Sequence, residues 1–186
     1  MVLLKKSKRY IYYSVLCSLF LLVTGFKVWG TDSPLPKGYG SVTLGMTLDE
    51  VKEALKTDPA YNYRGDRDVS LLSRENRALI SVDGVLFFEE CLFQFEDDVL
   101  YIITLNLNKS ELDYYSVFSK LCEKYGEPDS LSPEKSQWDN GSVIFSLEKN
   151  LSLRYIDAST FEELQKSSQV KETAKEKTRQ DFLDSL

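Results

Sequence analysis

The sequence predicts an α+β protein in which two helix-then-antiparallel-strand units pack as helices on a sheet, with a charged C-terminal helix after them. Three observations predict it. Thr47-Leu48-Asp49-Glu50 is a capping box that opens an apolar stripe at helical spacing. From Val69 onward the apolar period changes to two, in runs separated by short polar turns. The same order, a helix and then strands, returns after Ser110.

The first thirty residues read as an address. Lys5, Lys6, Lys8 and Arg9 precede an apolar run from Tyr10 to Phe26, and Val28 and Gly30 place small-enough residues before a cut at Thr31. A basic head, an apolar middle and a small-residue cut site make a secretory signal peptide. The run is short for a bilayer span and is interrupted by Ser14, Ser18 and Thr24. An uncleaved anchor is the alternative, and membrane contact is expected only through this segment. Cys17 is no lipidation site, because Leu16 stands where a lipobox needs Gly, Ala or Ser. The expected organisation is therefore a signal peptide over 1–30, a lead-in over 31–43, an α+β domain over 44–158 and a helical tail over 159–186. The exported chain is expected in the periplasm or outside the cell.

In the domain, Leu48, Val51 and Leu55 form the stripe of a short helix that ends before Pro59. Residues 60–67 read as a polar, tyrosine-containing loop. Val69–Leu72 and Ala78–Val82 are expected as short strands. Phe87–Phe95 and Val99–Leu107 are stronger ones, joined at Glu96-Asp97-Asp98. In the second of these, Val99, Tyr101, Ile103, Leu105 and Leu107 are expected to face one way. Ser110 is expected to open the second helix, with Leu112, Tyr115, Phe118, Cys122 and Tyr125 inward and Gly126 as its stop. Asn140-Gly141 predicts a type I′ hairpin turn after Trp138, and Val143–Leu147 and Leu151–Ile156 complete the meander. The tail begins at Ser159 or Thr160. Only Val170 and Ala174 are apolar between Gln165 and Asp181, so it is expected as a solvated or frayed helix with an apolar cluster at its end.

The segment Leu44-Gly45-Met46-Thr47-Leu48-Asp49-Glu50-Val51 resembles the opening of modules in outer-membrane assembly lipoproteins of the SmpA/OmlA (BamE) type. It also resembles the tandem modules of beta-lactamase-inhibitor proteins. In both families a Gly-Met-Thr turn caps a helix that packs on an antiparallel sheet. Lys124-Tyr125-Gly126-Glu127-Pro128 is similar to the helix exit of related envelope proteins. The pattern runs from Leu44 to Asp157, but only about a dozen residues match as motif. The chain lacks the lipobox and the Gly-x-Pro exit after its first helix. The resemblance implies a non-catalytic, partner-binding module of the cell envelope.

Composition narrows the chemistry. The 186 residues include no histidine, which removes Ser-His-Asp and Cys-His catalysis and imidazole-dependent metal sites. No catalytic residue, metal or cofactor is expected. Loss of the signal peptide leaves 18 basic residues against 29 acidic ones, a net charge of −11, so nucleic acid is not an expected partner. Cys91 and Cys122 are the two cysteines of the domain. A strand-and-helix count puts Cys91 opposite Ile103 and Cys122 level with it, so they are either a disulfide or two apolar thiols.

Tyr61, Tyr63 and Arg64 form an aromatic and cationic loop on an acidic protein, and Phe182 and Leu183 an apolar tip on the tail. These are the candidate contacts with an envelope protein partner. Arg64-Gly65-Asp66 within the loop and the sequons at Asn108, Asn140 and Asn150 are short motifs of low specificity. The alternative is a small-molecule or envelope-polymer binder with its site on the open sheet face near Tyr101 and Trp138.

Overall fold

The computed structural model describes residues 34–72 and 76–184. The expected signal peptide, its expected cut site and Leu186 lie outside the described residues. A hairpin of β1 (Gly38–Tyr39) and β2 (Val42–Thr43) precedes helix α1 (Leu48–Thr57). There follow β3 (Tyr61–Asn62), a 3-10 turn (Asp66–Asp68), β4 (Val69–Leu72), β5 (Arg77–Gly84), β6 (Phe88–Glu96) and β7 (Val99–Leu107). The second half repeats the order with α2 (Tyr114–Tyr125), β8 (Ser130–Leu131), β9 (Lys135–Asp139), β10 (Val143–Glu148) and β11 (Ser152–Asp157). Helix α3 (Ala158–Asp184) ends the description.

The two units build one antiparallel sheet of nine strands in the order β3-β5-β6-β7-β11-β10-β9-β8, with β4 also paired to β5. Each unit is a meander, and their last strands, β7 and β11, pair at the centre, Ile103 opposite Tyr155. Residues of α1 and α2 pack on one cluster of inward sheet residues, among them Phe93, Ile103, Leu105, Trp138 and Phe145. Helix α3 lies on the other face, where Phe161 and Leu164 meet Tyr101, Ile102 and Ile156. The outer strands β3, β4 and β8 are short, which limits unpaired edge.

The capping box of α1 is formed: Glu50 N donates to Thr47 Oγ1 (3.3 Å) and Thr47 N donates to Glu50 Oε2 (2.8 Å). Val51 and Leu55 are fully buried, as their spacing requires. The lead-in is part of the domain rather than an exposed approach, because β1–β2 inserts Val42, wholly buried, into the core. The polar loop after α1 contains β3 and a 3-10 turn, and Tyr61 pairs with Gly84.

Two bulges correct the expected alternation. Register shifts fall between Phe88 and Glu90 and between Gln94 and Phe95, which leave Glu89 on β6 and Tyr101 on β7 as the extra residues. Leu100 and Ile103 therefore both face the main core, while Tyr101 and Ile102 face α3. The two-residue Asp97-Asp98 turn, which pairs Glu96 with Val99, and the Tyr101 bulge together set Cys91 opposite Leu105 instead of Ile103.

Helix α2 begins at Tyr114, not Ser110. Asn108 Oδ1 takes the Ser110 amide and hydroxyl (3.0 and 2.7 Å), and Asp113 becomes the N-cap by accepting from Ser116 N (2.9 Å). That start rotates Tyr115 outward to 76% exposure, and Val117, Phe118, Leu121 and Tyr125 form the inner side. Gly126 closes the helix at φ 81°, with its amide on Cys122 O (2.9 Å). The type I′ requirement of two positive φ values is met at Asp97 and Asp98 (49° and 66°). At Asn140-Gly141 only glycine is left-handed, in a three-residue loop where Asn140 Oδ1 accepts from Ser142 N and Val143 N. The tail is one 27-residue helix, and every described residue from Gln165 to Asp184 is exposed.

Candidate functional site

An apolar recess lies between α2 and the β1–β2 hairpin, at the Leu107 end of the sheet. Phe88, Leu107 and Leu153 form its floor, Tyr39 one wall, and Leu112, Val117 and Leu121 the other. Its volume is about 500 Å³, within the range of ligand-sized clefts. Tyr39 stands edge-on to Phe88, with ring centroids 5.0 Å apart. Lys120 marks the rim, paired with Glu123 at 2.7 Å.

The recess exists because α2 is anchored along one side only. Phe118 packs by Trp138 (6.4 Å), Tyr125 stands edge-on to Phe145 (5.7 Å), and the Tyr114 and Ser136 hydroxyls bond at 2.9 Å. Trp138 Nε1 donates to Gly126 O (2.9 Å), which ties the helix exit to β9. All these partners lie on β9 and β10. Toward Tyr39 the helix meets Leu107 and Leu153 across the recess, and no residue of α2 is fully buried.

The tip between β5 and β6 borders the groove. Val85, Leu86 and Phe87 are all exposed, Leu86 to 75%. Leu86 also holds φ 57°, a left-handed conformation unusual for a bulky side chain. Asn108 fixes it there: its Nδ2 donates to Leu86 O (3.2 Å) and its backbone N to Phe87 O (2.8 Å). A Cβ on Gly84 would collide with Phe88, so the chain can enter this tip only through glycine. Sequence reasoning missed the tip. Its signal is the run Val85-Leu86-Phe87-Phe88 at a turn, since four successive apolar residues cannot all face one core.

The expected contact loop is internal at Tyr61 and exposed at Arg64. Tyr61 is 5% exposed, edge-on to Phe93 (5.6 Å), and its hydroxyl donates to Tyr39 O (3.1 Å), so it is a core residue rather than a partner contact. Burial pushes its phenol well above the ordinary range. Tyr63 lies half-buried against the same core, and burial raises its phenol too. Arg64 donates from its backbone N (2.8 Å) and Nε (3.0 Å) to the buried Asp68 carboxylate and also pairs with Asp83 (3.4 Å). Asp66 pairs with Lys52 (3.4 Å), so the Arg-Gly-Asp tripeptide is engaged in bracing α1 and β5. Phe182 and Leu183 are exposed at the end of α3, 62% and 46%.

Cys91 and Cys122 form no disulfide. Cys91 is on β6, whereas α2 docks through Phe118 and Tyr125 over β9 and β10, beyond the intervening β7 and β11. Burial, and then the Glu90 charge, push the Cys91 thiol up to about 12. Such a thiol is inert as a nucleophile at neutral pH. Tyr101 and Trp138 do not share a site, because the Tyr101 bulge turns that side chain to the α3 face while Trp138 points into the main core. The open face beside α3 is largely paired within itself, although Arg154 Nε is buried without a hydrogen-bond partner. Ser81 Oγ donates to Glu90 (2.9 Å), Asn106 Nδ2 to Glu90 (3.2 Å), Ser152 Oγ to Asn106 (2.7 Å) and Arg154 to Glu148 (3.1 Å). Among the described residues no three acidic or cysteine side chains gather into a cluster able to hold a metal, and no helix is long and apolar enough to cross a membrane.

The family model of the TP0088 domain matches residues 37–167. The chain belongs to the TP0088 domain family. No curated protein and no solved structure matches it. The TP0088 domain thus comprises the β1–β2 hairpin, both meanders, the groove and the docked start of α3, and the exposed remainder of α3 follows it.

Proposed function

We propose that the chain is an exported, non-catalytic binding module of the cell envelope, and that the groove between Tyr39 and α2 receives an apolar segment of a protein partner. The observation that carries this reading is Leu86. A leucine held left-handed costs stability, and its exposed side chain returns none of it by burial, which is the pattern of a residue kept for contact. A small ligand seated in the groove would leave that tip uncovered, whereas a protein surface covers both. The N-terminal address and the resemblance to envelope modules support export. The core position of Tyr61 and the pairing of Arg64 with Asp68 and Asp83 favour the groove over the Tyr-Arg loop as the contact.

The test is a photo-crosslinking residue placed in living cells at Phe87, with Leu131 on β8 as a still more exposed control. One protein is expected from Phe87 and none from Leu131; equal labelling from both would remove the groove from the account. The second reading, a small apolar ligand, is favoured by the volume and lining of the groove. Titration of long-chain fatty acids against Trp138 fluorescence separates it, because a saturable response would place the ligand beside α2.

A further inference from the structure

We infer that Asn140-Gly141 is a self-modifying site, at which the folded turn converts its asparagine to aspartate or isoaspartate through a cyclic imide. The site lies between β9 and β10, apart from the groove, and water is the one co-reactant.

The residue pair gives the first reason. Asparagine is a thermolabile residue. Attack on its side-chain carbonyl by the next backbone nitrogen closes a five-membered ring, and a side chain on that next residue crowds the approach. The chain has six asparagines, and Tyr63, Arg77, Leu107, Lys109 and Leu151 follow five of them. Gly141 follows the sixth. Its φ of 81° is a conformation that favours glycine, so the turn keeps the nucleophile unshielded.

Geometry gives the second, because the turn assists both partners in the attack. Gly141 N donates to Asp139 Oδ1 at 2.8 Å, so a carboxylate already holds the proton that the nucleophile must lose. Asn140 Oδ1 accepts from Ser142 N (3.0 Å) and Val143 N (2.8 Å). Two amides aimed at that oxygen draw charge from the carbonyl and meet the oxyanion that attack creates. They also keep the side chain folded over its own turn. Asn108 offers the contrast: the Ser110 amide and hydroxyl bond its oxygen, but its Nδ2 is tied to Leu86 O and a lysine follows it.

The steps balance without any oxidant or reductant. Gly141 N bonds to Asn140 Cγ, and its proton passes to Asp139. The bond from Cγ to the side-chain nitrogen then breaks, and that nitrogen leaves as ammonia with the proton that Asp139 returns. Asn140 and Gly141 are exposed, so water reaches the imide and opens it at either carbonyl. Opening at one carbonyl gives aspartate and at the other isoaspartate. The turn also seats α3, since Ala158 N donates to Ser142 O (3.0 Å). Isoaspartate lengthens the main chain by one carbon beside that contact, and either product adds a negative charge.

The test is incubation of the purified protein at neutral pH for several weeks, followed by peptide mapping. Mass spectrometry reads the change from amide to acid, and chromatography separates the isoaspartyl peptide. Asn140 is expected to convert about tenfold faster than Asn108 or Asn150. It should also convert faster in the folded chain than in a synthetic peptide of residues 136–146, which lacks the fixed turn. Asp139→Ser keeps a hydrogen-bond acceptor without the charge and should slow conversion about tenfold. The Asp139 side chain is exposed, and circular dichroism checks that the fold is retained. Conversion no faster at Asn140 than at Asn108, a peptide that outpaces the folded chain, or a rate indifferent to Asp139→Ser would each overturn the inference.

Discussion

Helices α1 and α2 occupy equivalent places in the two units, and they meet the sheet differently. Helix α1 buries Val51 and Leu55 completely, and its ends are tied down twice over. The capping box holds its start, and at its exit Asp58 accepts from Ser41 N (3.0 Å), Ser41 Oγ (2.8 Å) and Ala60 N (3.0 Å). Helix α2 has a single side-chain cap, no fully buried residue and aromatic anchors along one side. The β1–β2 hairpin accounts for much of the contrast. It drives Val42 into the core beside α1 and presents Tyr39 toward α2 as a wall without a matching filler. One helix-then-meander plan therefore yields a closed interface in one unit and an open groove in the other. Closure holds the fold, and incomplete closure leaves a place to bind.

The largest test of that contrast is truncation on each helix. Leu55→Ala should cost about 3 kcal/mol in urea unfolding, as full burial implies, and Leu121→Ala about 1 kcal/mol or less. Equal losses would mean that α2 is as closed as α1. The loop bracing the first unit ranks next. Asp68→Ala removes a buried acceptor that the Arg64 backbone amide uses at 2.8 Å, and should cost about 2 kcal/mol by the same assay.

Acid should affect both helix starts by a smaller amount. Hydrogen bonds from the Thr47 backbone and then its hydroxyl hold Glu50 below 4.5, and the Ser116 hydroxyl and then its amide hold Asp113 below 3.8. A folded-state value below the unfolded one adds stability that is present at neutral pH and lost as pH falls through the lowered value. Thermal unfolding between about pH 5 and pH 2 should fall less steeply in Glu50→Gln than in the parent protein. An unchanged slope would show that the box contributes no pH-dependent stability.

Much of the fold was legible because local signals agreed. The capping box, Pro59, the period-two runs and Gly126 each have one good structural solution. Bulges escaped because Glu89 and Tyr101 carry no mark of being extra residues, and one unpaired residue inverts every face after it. The start of α2 escaped because Ser110 and Asp113 are both good caps, and only the claim of Asn108 on Ser110 decides between them. The site was less legible than the fold. Tyr61 and Arg64 look like contact residues by type, and burial and Asp68 absorb them. The groove depends on what α2 fails to fill, which is a property of the assembled layers and of no single segment.

Leu86→Gly tests the central claim most directly. Glycine adopts φ 57° without strain, and the removed side chain is 75% exposed, so unfolding stability should stay level or rise by up to about 1 kcal/mol. In the same variant, crosslinking from Phe87 to its protein partner should fall about fivefold or more. Stability gained while contact is lost is the signature of a residue kept for binding. Undiminished crosslinking, or a loss of stability with the leucine, would contradict the account.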